Sequence, residues 1–423
     1  MRTANPPGFA LSASPPGFAP SASLSRVARG DLCAGCGACA ALAPGRVVMA
    51  VAPLGYLRPS QQSALEPAQE AAIAQACPGL GQVVRAAGRT DDVLWGPYVS
   101  MQTGWATDPE VRFAGSSGGA LSMILLHLLD SGVVDAVVQT AASADLPIGN
   151  TTVLTQTRAG VMAAAGSRYA PSAPLADLPA QIAAHQAQGT RFAFVGKPCD
   201  AAALRVMRDA DPAIAAAFPV ILSFFCAGVP SHAGGLAVLQ ALGADPAQTV
   251  AFRYRGNGWP GDATARLVDG TERSMSYHDS WGGILSRHVQ HRCKICADGT
   301  GVAADIVCAD AWESDAAGYP VFTDAPGVSL IVTRSPLGAR LVAEARAAGR
   351  IETAPFDSAK LAGIQPGQRE RRRALWARLA ALRLAGRPIP RYEGLQIAAA
   401  ARQNPWGRNL KNFMGMLRRS LRR

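Results

Sequence analysis

Three cysteines at 33, 36 and 39, separated by two successive two-residue gaps in CAGCGAC, constrain the front of this chain more than any other feature. Thiols that close along the chain can hold three irons of a cubane cluster, and Cys77, followed by Pro78, is the natural fourth ligand. Gly35 and Gly37 relieve crowding and let backbone amides point toward sulfur. Zinc also accepts four thiolates and is the principal competing metal, with separately buried free cysteines as the bland alternative. The expectation is a [4Fe-4S] site at Cys33, Cys36, Cys39 and Cys77, in a compact region over 31–90 whose small apolar core is offset by metal binding.

Nine cysteines, an odd number with no obvious secretory signal, argue against an extracellular disulfide scaffold. Cys199 follows the strand-turn signal RFAFVGKP, Cys226 closes VILSFFC, and Cys293 and Cys296 form RCKIC. The two isolated members fall at predicted ends of neighbouring strands, where loops converge, so a second four-cysteine set is expected against the alternative of scattered buried thiols. Cys308, inside ADIVCADAW, reads as an apolar strand position.

Around these cysteines, strand and helix signals alternate. VSMQTGWA, GVVDAVVQT, RFAFVG, VILSFFC, GVAADIVCADAW and VSLIVTR read as strands, and helices follow GSSGG and begin at PCDAAALRVM. That grammar predicts an α/β body. A hydrophobic share of 49% with 17% charged residues rejects wholesale disorder, and no apolar stretch reaches the roughly 18 to 20 residues of a membrane span. The segmentation is a flexible leader over 1–30 carrying PPGFA twice, the cysteine region 31–90, body segments 91–175 and 176–350, and a basic helical extension 351–423. The net charge of +11 belongs to the extension, because Arg369 onward sums to +13 and the rest to −2. In its last helix, Leu410, Phe413, Met414, Leu417 and Leu421 are expected to line one face. Simple packing against the body, an anionic membrane and a protein partner are its readings, and sequence-specific nucleic-acid binding is not expected.

No Ser-His-Asp order, glycosidase carboxylate pair or triphosphate loop stands out, and His127 reads as a buried structural histidine. RFAGSSGG instead places small residues before a helix starting near Ala120, where exposed amides could receive a phosphate. GSRY at 166–169 and FRYRGNGWPG at 252–261 add guanidinium groups, Arg253 among them, and aromatic faces suited to a flavin ring. Asp305 and Asp310 could hydrogen-bond ribityl hydroxyls or orient Arg253. Structural turns and solvent loops remain the alternative for each.

Taken together, CAGCGAC, SSGG, GSRY, VGKPCDAAALR, FCAGVPS, FRYRGNGWPG, RCKIC and ADIVCADAW resemble the beta-subunit family of coenzyme F-420 (deazaflavin) hydrogenases and dehydrogenases, which includes ferredoxin-dependent reductases of chlorophyll intermediates. The resemblance spans about 31–345 and leaves the basic tail outside; Ala309 departs from a position commonly glycine. It implies an FAD-containing iron-sulfur oxidoreductase with two [4Fe-4S] clusters, the core one at Cys199, Cys226, Cys293 and Cys296 and an additional ferredoxin-like one at the front. Ser117, Gly118, Gly119, Ser167, Arg168 and Tyr169 resemble the flavin surface, with Asn257, Gly258 and their loop close by. The expected fold is α/β, a mixed-sheet flavin-binding body with an N-terminal iron-sulfur region and a helical basic tail. Ferredoxin or another one-electron carrier would be the redox partner, and the substrate a small molecule or a tetrapyrrole reduced at a vinyl or hydroxymethyl group. Exchange with the deazaflavin coenzyme, or an accessory electron-transfer role in polysaccharide biosynthesis, are the other readings, in a cytoplasmic, peripherally membrane-associated or homo-oligomeric protein.

Overall fold

Short apolar runs bounded by turns become strands, and the longest set forms one mixed sheet. The computed structural model describes residues 17–312, 315, 321 and 323–421. A front hairpin, β1 (Val47–Ala52) with β2 (Tyr56–Gln61), stands apart from that sheet. The sheet comprises β3 (Ser100–Ala106), β4 (Ala136–Ala142), β5 (Asn150–Thr155), β6 (Phe192–Gly196), β7 (Val220–Phe224), β8 (Ile306–Asp310), β9 (Ser329–Thr333) and β10 (Ile351–Pro355). Their spatial order is β10-β3-β9-β8-β7-β6-β4-β5. Its centre, β8-β7-β6-β4, is parallel, and antiparallel strands flank it on both sides. A smaller antiparallel sheet joins Thr249–Arg253, Ala263–Leu267 and Glu272–Met275.

Strands buried on both faces need no polar alternation, and every residue of β6 and β9 is buried. The period of two still sorts their side chains. Phe192, Phe194, Ile221 and Val307 share one core, and Ala193, Val195, Val220 and Ile306 share the other. Helices close both faces. In chain order these and the others used below are α1 (Ala22–Gly30), α2 (Ala38–Leu42), α3 (Pro67–Ala76), α4 (Ala120–Asp130), α5 (Pro198–Ala210), α6 (His291–Lys294), α7 (Pro366–Leu384) and α8 (Trp406–Leu421). Met123, Ile124 and Leu128 of α4 join the second core, and Ala201, Leu204 and Met207 of α5 join the first. Each such large apolar side chain contributes about 1.5–3 kcal/mol.

Two expectations need correction. The leader is not wholly without structure, because α1 spans its last nine residues. Ser21 caps α1 by accepting from the Leu24 amide, while Leu24 and Val27 are buried. The first PPGFA copy lies outside the described residues. Nor is 351–423 an appendage. β10 is the sheet's edge strand, paired with β3, so the sheet runs across the expected boundary at 350. Leu375, Leu379 and Leu382 of α7 share a core with Val27, Leu32, Ile295 and Val302. Further on, Arg391–Glu393 pairs in parallel with Gly81–Val83. The expected stripe on α8 is split: Phe413 and Leu417 pack inward with Met416, while Leu410, Met414 and Leu421 are exposed. No helix among the described residues is long and apolar enough to cross a membrane.

Candidate functional site

The front cysteines are gathered by local folding. Gly37 takes φ 87°, and a Cβ there would meet the Ala176 nitrogen at 2.6 Å, so only glycine turns the chain between Cys36 and α2. Cys39 sits on α2, and Cys77 ends α3. Cys33, Cys36, Cys39 and Cys77 then line one small cavity with Leu24, Val27 and Ile73. The Gly35 amide donates to Cys33 Sγ at 3.3 Å. Burial pushes all four thiols above their usual value, Cys77 to about 11, and their mutual charges push Cys36, Cys39 and Cys77 further. Four thiols in an apolar cavity resist ionising unless a cation arrives with the charge.

The second set comes from distant segments. β6 and β7 are parallel neighbours, and Cys199 and Cys226 leave their carboxyl ends as the sequence predicts. Cys293 lies on α6, with Cys296 just beyond. Burial raises Cys226 to about 12, and the charges of Cys293 and Cys296 act on it. Cys199 feels Cys226 and also Cys36 of the front set, so the two sets adjoin there. The Val229 amide donates to Cys293 Sγ at 3.4 Å. Among the described residues, no three His, Cys, Asp or Glu side chains are drawn tightly enough around one point to hold a single ion.

Beyond the second set lies a cavity of about 280 Å³, near the lower end of the range for ligand sites. It opens at the carboxyl ends of the parallel strands, where α/β sheets bind ligands. Gly196, Lys197, Cys226 and Asp310 line it from the ends of β6, β7 and β8, so one cysteine of the second set forms part of its wall. Ser116, Ser117, Gly119 and Ala120 line it at the start of α4. Gly119 is the left-handed N-cap at φ 69°, and no acidic residue occupies the first turn. Those amides suit an anion.

Two buried cations are held at this cavity. Lys197 Nζ donates to Ser172 Oγ at 2.7 Å and pairs with Asp200 at 2.8 Å. Burial alone would lower its pKa, but Asp200 and then Cys199 raise it, so it stays an ammonium. Arg255, 2% exposed, makes a two-point pair with Asp310 at 2.8 and 2.9 Å. Its guanidinium lies over Tyr277 and Trp312, 4.7 and 4.8 Å from their ring centres.

The cavity brings together Ser117, Gly119, Ser167, Arg168, Tyr169 and Asp310 from the expected flavin surface. Arg168, though on that wall, spends Nε, Nη1 and Nη2 on Asn150 and on the carbonyls of Phe252, Pro147 and Gly149, which anchors its loop. Other expectations fall elsewhere. Gly118 packs against Gly104 of β3 and Ser329 of β9, its amide donating to Ser329 Oγ at 2.9 Å. Asp305 is turned away: its oxygens take the Ile221 amide, Ser335 Oγ and Arg205. Arg253, Asn257 and Gly258 do not line the cavity; the Gly258 amide donates to the Phe113 carbonyl at 2.9 Å. Asp310 does orient an arginine, but it is Arg255, which the sequence reading missed, as it did Lys197. His127 is buried with Nε2 lacking a partner, as a structural histidine.

A mixed sheet whose strand ends deliver thiols to a ligand-sized cavity defines a class of redox subunit. Residues 101–178 match the N-terminal domain, and 189–359 the C-terminal domain, of the coenzyme F420 hydrogenase/dehydrogenase beta subunit. The chain belongs to that family. It is also similar to a chain of the F420-reducing [NiFe] hydrogenase complex from Methanosarcina barkeri, solved in a xenon-derivatised form. The two are 19% identical, the match covers 68% of this chain and 96% of that one, and the TM-score is 0.50. That likeness supports the fold.

Proposed function

We propose that this chain is an iron-sulfur flavoprotein oxidoreductase, moving electrons between a one-electron carrier such as ferredoxin and an organic substrate by way of two [4Fe-4S] clusters and FAD. The observation that carries this reading is that Cys33, Cys36, Cys39 and Cys77 line one small cavity while Cys226 of the second set lines the larger one. Four cysteines around one cavity could serve a cubane cluster or one zinc ion, and the family match favours the cluster. When bound, clusters would supply one-electron transfer and the flavin hydride chemistry.

The chain's own groups fit those cofactors. Cys33, Cys36, Cys39 and Cys77 would hold one cluster, and Cys199, Cys226, Cys293 and Cys296 the other. The amides of Gly35 and Val229 already point at sulfur. The start of α4 would take a flavin phosphate, while Tyr169, Tyr277 and Trp312 shield the cavity from water. Lys197, fixed by Asp200, keeps a proton and a positive charge at the wall where a reduced ring would carry negative charge. The family match favours the deazaflavin coenzyme as a second hydride partner. A tetrapyrrole would need more room than the cavity body offers and would sit at its mouth.

On α8, Trp406, Leu410, Met414 and Leu421 stay exposed beside Arg408, Lys411, Arg418 and Arg419. That pairing supports an anionic membrane surface as the tail's contact. Anaerobic reconstitution of the whole chain should give about eight irons and one FAD. A zinc-loaded protein without flavin would overturn the assignment. Stopped-flow mixing with reduced ferredoxin or reduced deazaflavin coenzyme then separates the two donors.

A further inference from the structure

Arg292 stands where the two thiol sets meet. It precedes Cys293 on α6, and its Nη2 donates at 2.7 Å to the carbonyl of Pro78, the residue after Cys77. Its guanidinium lies 5.8 Å from the ring centre of Tyr392. The side chain is 3% exposed, and neither Nε nor Nη1 has a hydrogen-bond partner. A guanidinium is always charged and carries five donors, so burying it with most of them unused is costly.

Among the described residues Arg292 forms no ion pair with an Asp or Glu, and none is among the groups acting most strongly on it. Those that do, after Tyr392, are Cys296, Cys199 and Cys293 of the second set. In the other direction, Arg292 acts on Cys33 and Cys77 of the front set. Arg292 thus precedes Cys293 of the second set in the chain and bonds the carbonyl next to Cys77 of the front set, with thiols of both sites and Tyr392 around it. Arg371 is unlike it, since it bonds the Cys226 carbonyl on the second set alone.

We propose that Arg292 is the shared counter-charge of the two cysteine sites, a positioning residue whose fixed cation stabilises metal-bound thiolates on either side and favours the reduced state of both clusters. This rests on the iron-sulfur reading above. Metal binding converts thiols to thiolates, and each one-electron reduction adds another negative charge within reach of the same guanidinium. Removing the cation should disfavour reduction at both sites together. In the metal-free chain the sign reverses, because the cation is then buried without its anions.

The test uses the full chain as wild type, Arg292→Met and Arg292→Lys. Metal-free protein, kept reduced, is melted first: Arg292→Met should unfold at a higher temperature than wild type, and a lower one overturns the proposal. Each protein is then reconstituted anaerobically and titrated with dithionite under electron paramagnetic resonance. Arg292→Met should make reduction about tenfold less favourable at both clusters, a fall of about 59 mV in each midpoint, with Arg292→Lys restoring most of it. A shift confined to one cluster, or none at either with iron retained, refutes the shared role. Failure of Arg292→Met to retain iron at either site, with Arg292→Lys retaining it, supports the role, and the same loss in both variants refutes it. Wild-type protein that takes up no iron instead sinks the iron-sulfur reading itself.

Discussion

Replacing Asp310 by Asn tests whether the cavity wall is built around a charge. Arg255 is 2% exposed and held by two oxygens of Asp310, at 2.8 and 2.9 Å, over the rings of Tyr277 and Trp312. Asparagine keeps the shape and one acceptor but removes the negative charge. Stripping one partner from a buried pair costs about 3–5 kcal/mol, and the Asp310 side chain, 21% exposed, puts this case near the lower end. An unfolding entropy of about 2.1 cal/mol/K per residue over 423 residues is ~0.9 kcal/mol/K, so Asp310→Asn should lower the melting temperature by ~3 °C if the chain unfolds as one unit. Scanning calorimetry in reducing, anaerobic buffer reads this directly. The double variant Arg255→Met with Asp310→Leu removes both charges and should recover most of the loss. A single variant that melts with wild type, or a double variant no better than the single, would refute the reasoning.

Burial holds the His127 imidazole below its usual 6.5, so the unfolded chain protonates first as pH falls, and stability drops downward from there. His127→Leu should shrink the difference in melting temperature between about pH 7.5 and pH 5.5, with His232 and His288, also lowered by burial, leaving a residual slope. An unchanged difference would count against it. For the tail, Trp406→Ser with Leu410→Ser should cut flotation with phosphatidylglycerol vesicles about tenfold, and wild-type flotation should vanish with phosphatidylcholine alone or at high salt. Equal flotation of both proteins would exclude α8 as the contact.

Much of the sheet was legible because its strands are short apolar runs between turn residues, and Phe192–Gly196 and Val220–Phe224 fall where the pattern puts them. Strand ends also explain why Cys199 and Cys226 could be paired from sequence. Arg255 was not legible: its partner Asp310 lies 55 residues on, and in FRYRGNGWPG nothing local separates it from Arg253. Asp305 and Asp310 bracket one strand, yet one meets Arg205 and the other Arg255, at opposite ends of it. In the tail, packing against the body was one of the readings, but a run of arginines does not show which of them turn inward: Arg372 is 5% exposed and donates to the carbonyls of Val93, Ala297 and Leu395. Buried carbonyls waiting for donors leave no mark in a sequence.

The position of α7 bears on the order in which this protein can be completed. Gln368 and Arg371 bond the carbonyl of Cys226, and Arg391–Glu393 pairs beside the turn that carries Cys77. In chain order α7 follows all eight candidate ligands, so it leaves the ribosome after every one of them. Until it emerges, the nascent chain already contains every candidate ligand but lacks this cover, an interval in which the proposed clusters would have an open path to their thiols. A chain truncated ahead of α7 would keep all eight thiols and lose that protective cover.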